Sequence, residues 1–261
     1  MGLLQDLSWE EAQKELKEAD VAIIPVGSTE QHGRHMPLGA DTYAPFEIAK
    51  RTTEKEKVIV VPAIPFGISH CHMSFPGTIT LKCETLSHVM TDIFESLYKH
   101  GIKKFIILNG HGHNGPSIQT AMDEFKAKAG DALFLLFAWW VAGFKLTPKL
   151  WSTAKGDLPD GHAAEVETSV MLSIKPNLVN MSKADKVILG ALGKTDIRFS
   201  KSTSMNFKDY PIEITTISDF KQFSQSGVVG SAIGATKEKG DQVIERVTDF
   251  LAELIRDLKK A

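Results

Sequence analysis

Hydrophobic positions along the chain fall into short unbroken runs separated by amphipathic stretches. The runs cover 20–26, 57–64 (KVIVVPAI), 103–108 (KKFIIL) and 131–138 (DALFLLFA). Each is continuously apolar rather than alternating, which predicts strands covered on both faces. Between them the period changes to that of a helix. Leu86, Val89, Met90, Ile93, Phe94 and Leu97 recur at helical spacing over 85–100, and Gly101 ends that segment after Lys99 and His100. Further helices are expected over 41–51, 116–129 and 237–259. Near the start, Ser8-Trp-Glu-Glu reads as a capping box with Glu11 at the third helical position. Strand alternating with helix predicts an α/β fold: a three-layer α/β/α arrangement around a mostly parallel sheet. No repeat or linker divides the chain, so 1–261 is read as one domain. Residues 195–225 read as irregular structure or short strands inserted near the rim.

Composition narrows the partners. The chain has 261 residues and a formal net charge of −2, with no basic stripe, so nucleic acid and anionic membranes are not expected partners. The apolar stretch ALFLLFAWWVAGF is shorter than the roughly 20 residues of a membrane-spanning helix. The first residues lack the basic region and apolar core of a secretory signal. Leu7 occupies the position where a myristoylation site needs Ser or Thr. Only two cysteines occur, Cys71 and Cys83, which indicates no disulfide framework and fits a cytoplasmic location.

The chemistry gathers after the predicted strands. In an open α/β sheet ligands bind beyond the carboxyl ends of the strands. VGSTEQHGRHMPLGAD, with Glu30, His32, His35 and Asp41, follows the first run; NGHGHNG, with His111 and His113, follows the third; Trp139 and Trp140 follow the fourth. On extended backbone, residues two apart point the same way. Glu30 with His32, and His111 with His113, can therefore each present two donors to one point. Mixed histidine and carboxylate ligands suit zinc, manganese or iron(II), although such residues are also ordinary in surface loops. The glycines of the second cluster could instead cradle an anion, but neither a Lys-Ser/Thr nor a GxGxxG pattern accompanies them.

The third cluster is DGHAAEVETSVML, 160–172. Read as a helix from Ala163, its apolar stripe runs Ala163, Val166, Val170, Ile174. Glu167 falls inside that stripe and is expected to be buried; Glu165 falls opposite and is expected to be solvated. A buried carboxylate is costly unless paired with a cation or metal, so Glu167 is either a ligand or half of a structural ion pair. His162, just before the helix, is either an ordinary helix-start residue or a general base.

Taken in order, GSTEQHGRHMPLGAD, GISHCHMSFPGTITL, NGHGHNG and GHAAEVETS, with a fainter SGVVGSAIGATKEKG, resemble the creatininase (creatinine amidohydrolase) family over most of the chain. The resemblance implies a homo-oligomer, often a hexamer, with a one- or two-metal site; two divalent ions are expected here, zinc first, with manganese or iron(II) as alternatives. It implies Glu30, His32, Asp41 and His111 as ligands, Asp41 bridging, with Glu167 or His113 completing the second site and His162 as catalytic histidine. Two departures stand out: Gly112-His113 where creatininase proper has an aromatic and Glu, and Cys71 before His72 where many relatives have Glu. Both count against creatinine itself as substrate. The expected activity is attack of metal-activated water on a carbonyl, first of a cyclic amide. Ring opening of a cyclic diketone, as in inositol breakdown, and a non-catalytic metal-binding or peptide-maturation role are alternatives. Ser69, His72, the SFPGT loop, His113 and Trp140 are candidate substrate contacts. His35 matches no ligand position and reads as structural.

Overall fold

The computed structural model describes residues 2–152, 158–188, 219–222 and 224–260, together with the backbone of three short strands at 197–201, 204–207 and 213–215. In chain order the elements are α1 (Trp9–Glu18), β1 (Val21–Val26), α2 (Ala40–Thr52), β2 (Ile59–Val60), α3 (Cys83–Lys99), β3 (Lys104–Asn109), α4 (Gly115–Lys128), β4 (Leu133–Ala138), α5 (Trp139–Leu146), α6 (Glu165–Ile174), β5 (Lys186–Val187), β6 (Ile197–Lys201), β7 (Ser204–Phe207), β8 (Glu213–Thr215), β9 (Gly230–Ser231) and α7 (Lys237–Leu258).

The main sheet has the order β2-β1-β3-β4 and every pairing is parallel. β1 is buried throughout and pairs in register with β3 from Val21↔Lys104 to Val26↔Asn109. Because successive side chains of a strand face opposite ways, β1 feeds two cores. Ala22, Ile24 and Val26 pack with Leu86, Met90 and Phe94 of α3 and Phe125 of α4. Val21 and Ile23 pack with Ile48 of α2, Val166 and Val170 of α6, and Val243, Val247 and Leu251 of α7. The expected sheet between two helical layers is therefore present. The capping box is present too: Ser8 Oγ accepts from Glu11 N–H, and Glu11 returns the bond to Ser8 N–H at 2.7 Å.

One local expectation changes, and two other segments gain detail. The run 57–64 is not one strand: β2 spans two residues, and pairing resumes only as a bridge between Val26 and Ile64. Pro62 lies between and has no N–H to give the ladder. The tryptophans after β4 open a helix, α5. The segment 195–225 contains an antiparallel three-stranded sheet, β6-β7-β8; the remainder of 195–218, and residue 223, lie outside the described residues. Among the described residues no helix is long and apolar enough to cross a membrane.

Parallel pairing carries the ends of β1, β3 and β4 to one edge. The 27–41 segment, His111–Asn114 and the start of α5 all leave the sheet there. This is what brings residues some eighty positions apart together.

Candidate metal centre

The cage begins where β3 ends against the start of α2. A Cβ on Gly110 would stand 1.9 Å from the Asp41 backbone oxygen, so only glycine lets these segments approach. Asn109 then ties down the turn: its Oδ1 accepts from His111 N–H at 3.1 Å and its Nδ2 donates to the His111 carbonyl at 2.7 Å. Asn114 bridges neighbouring loops, donating to Gly27 O at 2.9 Å and accepting from Ile68 N–H at 3.0 Å.

These supports aim the two central imidazoles. His111 Nε2 donates to Ile68 O at 2.9 Å, which leaves Nδ1 facing Glu30 Oε2 at 3.2 Å and Asp41 Oδ2 at 3.1 Å. His32 Nδ1 donates to the Glu30 carbonyl at 3.2 Å, which turns Nε2 to Asp41 Oδ1 at 2.9 Å and Glu167 Oε2 at 3.9 Å. A ring nitrogen fixed by a carbonyl while the other faces carboxylates is the usual posture of a ligating histidine. Donor atoms of Glu30, Asp41 and His111 lie within 4.8 Å of one another, as do those of His32, Asp41 and Glu167. Asp41 is common to both trios. Glu30, His32 and His162 form a third.

A divalent pair fits this donor set. Glu30, His32, Asp41 and His111 are all buried. No lysine or arginine among the described residues pairs with Glu30, Asp41 or Glu167. Glu30 Oε1 and Asp41 Oδ2 are buried without a well-formed hydrogen bond from any described residue. In the metal-free chain protons balance the charge. Burial alone would lower the His32 pKa, but Asp41, then Glu167 and Glu30, raise it to about 10. His111 is likewise held well above its usual value by Glu30 and Asp41 against the pull of burial. Burial, with Asp41 adding to it, lifts Glu167 to about 7 in spite of His32.

The cage opens into a cavity of about 550 Å³ whose walls include His72, His113, Trp140, Phe144, Lys145, His162, Glu167 and Phe220. His162 is kept neutral chiefly by burial, with His32 and His72 adding to the effect. Its Nδ1 lies 3.8 Å from Glu30 Oε1. The residue after it, Ala163, has φ +54° and donates its N–H to Glu167 Oε2 at 2.6 Å. A left-handed alanine is a strained conformation; here it turns the chain so that His162 and Glu167 face one space.

The helix-wheel expectation fails for Glu165, expected to be solvated, while Glu167 is largely enclosed as expected. Glu165 is buried, its side chain 2% exposed and ion-paired with Lys239 of α7, while Glu167 is 12% exposed and lines the cavity. The wheel assumed one wet face, but α6 has none in its first turns: Glu165, Val166, Thr168, Ser169, Val170 and Met171 are all buried.

The remaining candidates separate. His72 and Trp140 line the cavity. Ser69 does not: it hydrogen-bonds Ser28, whose hydroxyl donates to Glu30 Oε2 at 3.3 Å, so it braces Glu30 from behind. The SFPGT loop contributes no wall. His113 lines the cavity but joins neither trio that shares Asp41; its Nδ1 faces Cys71 Sγ at 3.4 Å, and burial keeps the thiol protonated, its pKa about 12. His35 bonds Thr168 Oγ1 at 2.9 Å through Nε2, away from the cage, as a structural residue does. Sequence reasoning missed Gln31 and Phe220. Gln31 sits inside the quoted motif but is not titratable. Phe220 stacks on His72 and edges His162, with ring centroids at 4.4 and 4.9 Å; nothing in its local sequence marks it.

The fold and site define a parallel α/β protein with a buried histidine–carboxylate cage at its strand ends. The sequence matches the family model for creatininase, creatinine amidohydrolase, over residues 5–255, and the chain belongs to that family. It is 26% identical to the creatinine amidohydrolase of Pseudomonas putida over 97% of this chain and 95% of that one. It is 29% identical to the 3-dehydro-scyllo-inosose hydrolase of Thermotoga maritima over 97% and 82%, and 26% identical to a mycofactocin precursor peptide peptidase of Mycobacterium tuberculosis over 87% and 81%. A solved manganese creatininase superposes with TM-score 0.78 at 26% identity, covering 98% of this chain and 97% of that one.

Proposed function

We propose that this protein is a metal-dependent hydrolase that adds water to a carbonyl, with the C–N bond of a small, cyclic amide as the first substrate class. The observation that carries the reading is the shared carboxylate: Asp41 belongs both to the trio with Glu30 and His111 and to the trio with His32 and Glu167. Two divalent ions held there would supply an activated water at neutral pH and polarise the substrate carbonyl. The remaining work falls to the chain. Trp140, Val141 and Phe144 form an apolar wall that orients a flat substrate and excludes bulk water. His162, neutral and facing the cage through Nδ1, takes the proton of the attacking water at that atom and returns it to the leaving nitrogen. His72 Nε2, 3.5 Å from Glu30 Oε1, is placed to donate to the substrate oxygen.

Replacing Asp41 with Ala is expected to remove both metals and all hydrolysis. Elemental analysis finding unchanged metal content would overturn the ligand assignment. His162→Asn is expected to retain metal and lose turnover by roughly 10²- to 10⁴-fold; metal loss instead would make His162 a ligand.

A second reading is hydrolytic ring opening of a cyclic diketone, where carbon leaves in place of nitrogen. Its support is the 29% identity to the Thermotoga maritima inosose hydrolase. Assay of the metal-loaded chain against cyclic amides, formamides and cyclic diketones separates the two.

A further inference from the structure

We propose that Gln31 is a positioning residue: it fixes His72 and His162 as Nε2-protonated imidazoles, so that His162 turns a bare Nδ1, and His72 an N–H, toward Glu30 and the cage. The inference deepens the proposed function, since it rests on His162 acting as the proton carrier.

Every hydrogen in the cluster can be placed by elimination. Gln31 is 4% exposed, and its Oε1 accepts Gly33 N–H at 2.9 Å, which fixes which end of the amide faces the rings. Three atoms surround its Nε2: Gly227 O at 3.1 Å, His72 Nδ1 at 3.0 Å and His162 Nε2 at 2.9 Å. The amide has two hydrogens. Gly227 O can only accept, so it takes one. His162 Nε2 also lies 2.8 Å from the Gln31 backbone carbonyl, another atom that can only accept. That nitrogen therefore carries a proton and gives it to the carbonyl. The second amide hydrogen has one acceptor left, His72 Nδ1. His72 then holds its own proton on Nε2, 3.5 Å from Glu30 Oε1. His162 is left with a lone pair on Nδ1, 3.8 Å from the same oxygen.

Two further features belong to this cradle. Gly227 has φ +85°, and a Cβ there would lie 1.8 Å from Gln31 Oε1, so the segment holds the amide with no room for a side chain. Phe220 covers both rings and limits their rotation. A glutamate at position 31 would have the same shape but nothing to donate; it would require a proton on His72 Nδ1.

Neutron diffraction from crystals of the full chain loaded with zinc(II) locates these protons directly, where X-ray data of ordinary resolution leave the tautomer to inference. The expected result is a proton on Nε2 of both His72 and His162 and none on His162 Nδ1. In Gln31→Glu, His72 is expected to carry a proton on Nδ1, with zinc content unchanged and kcat lowered by about tenfold or more. A wild-type proton on His162 Nδ1 or on His72 Nδ1 would overturn the proposal, as would a Gln31→Glu variant whose His72 stays protonated on Nε2 alone. The wild-type crystal decides the tautomers even where a variant does not fold. Full turnover by His162→Asn would remove the proton role given to His162 but not Gln31's hold on the rings.

Discussion

At the scale of single residues, the site is a competition between protons and metals for one set of lone pairs. Facing carboxylates, the imidazoles of His32 and His111 have raised proton affinity, and burial lifts Glu167 to about 7. A divalent ion binding these atoms at pH 7 displaces their protons. Zinc binding is therefore expected to release protons, and its apparent affinity to rise as pH rises from 6 towards 10. Calorimetry in buffers of different ionisation enthalpy reads the release directly; a binding enthalpy independent of buffer would contradict the protonated cage. Much of this residue set was legible in the sequence, because Glu30 and His32 sit two apart on extended backbone just past a buried strand. The burial of Glu165 was not, since it depends on how fully α2 and α7 enclose α6. Ser69 was misjudged for a related reason: nearness to His72 in sequence does not say which side of Glu30 it occupies.

At the scale of elements, two junctions invite measurement. Gly110→Ala would drive a methyl group into the Asp41 carbonyl. The end of β3 and the start of α2 are expected to separate, with loss of both metal content and thermal stability; a variant with normal zinc content would show that the junction yields. Ser8→Ala removes one half of the capping box on α1 and is expected to cost about 1 kcal/mol, read as a lower denaturation midpoint at unchanged activity. The main strands were legible because full burial writes them as unbroken apolar runs. The exceptions follow from specific chemistry: Pro62 interrupts the 57–64 run, and α5 lies hidden because its apolar start continues β4 without a turn residue between them.

At the scale of the molecule, α6 and α7 lock together through a charge that water does not reach. Glu165 pairs with Lys239 and also accepts from Ser152 N–H at 3.4 Å. Lys239→Met would leave that carboxylate buried without its cation, and is expected to destabilise the fold by about 3–5 kcal/mol. A chemical denaturation series checks this; a loss under about 1 kcal/mol would mean that the pair behaves like a solvated surface contact. The parallel layered architecture was readable from alternation alone. What alternation does not encode is which helices lie against one another, and that decides the fate of Glu165.

The cage draws its donors from the loop after β1, from the first turn of α2, from residue 111 and from residue 167 in the first turn of α6, segments that meet only once the parallel sheet has assembled. A chain emerging from the ribosome therefore carries its earliest donors for most of its synthesis without the last. Until residue 111 is made, Glu30 and Asp41 lack the third donor of their trio; until α6 is made, His32 and Asp41 lack theirs. The order of translation thus completes the two trios one after the other, the one with His111 before the one with Glu167.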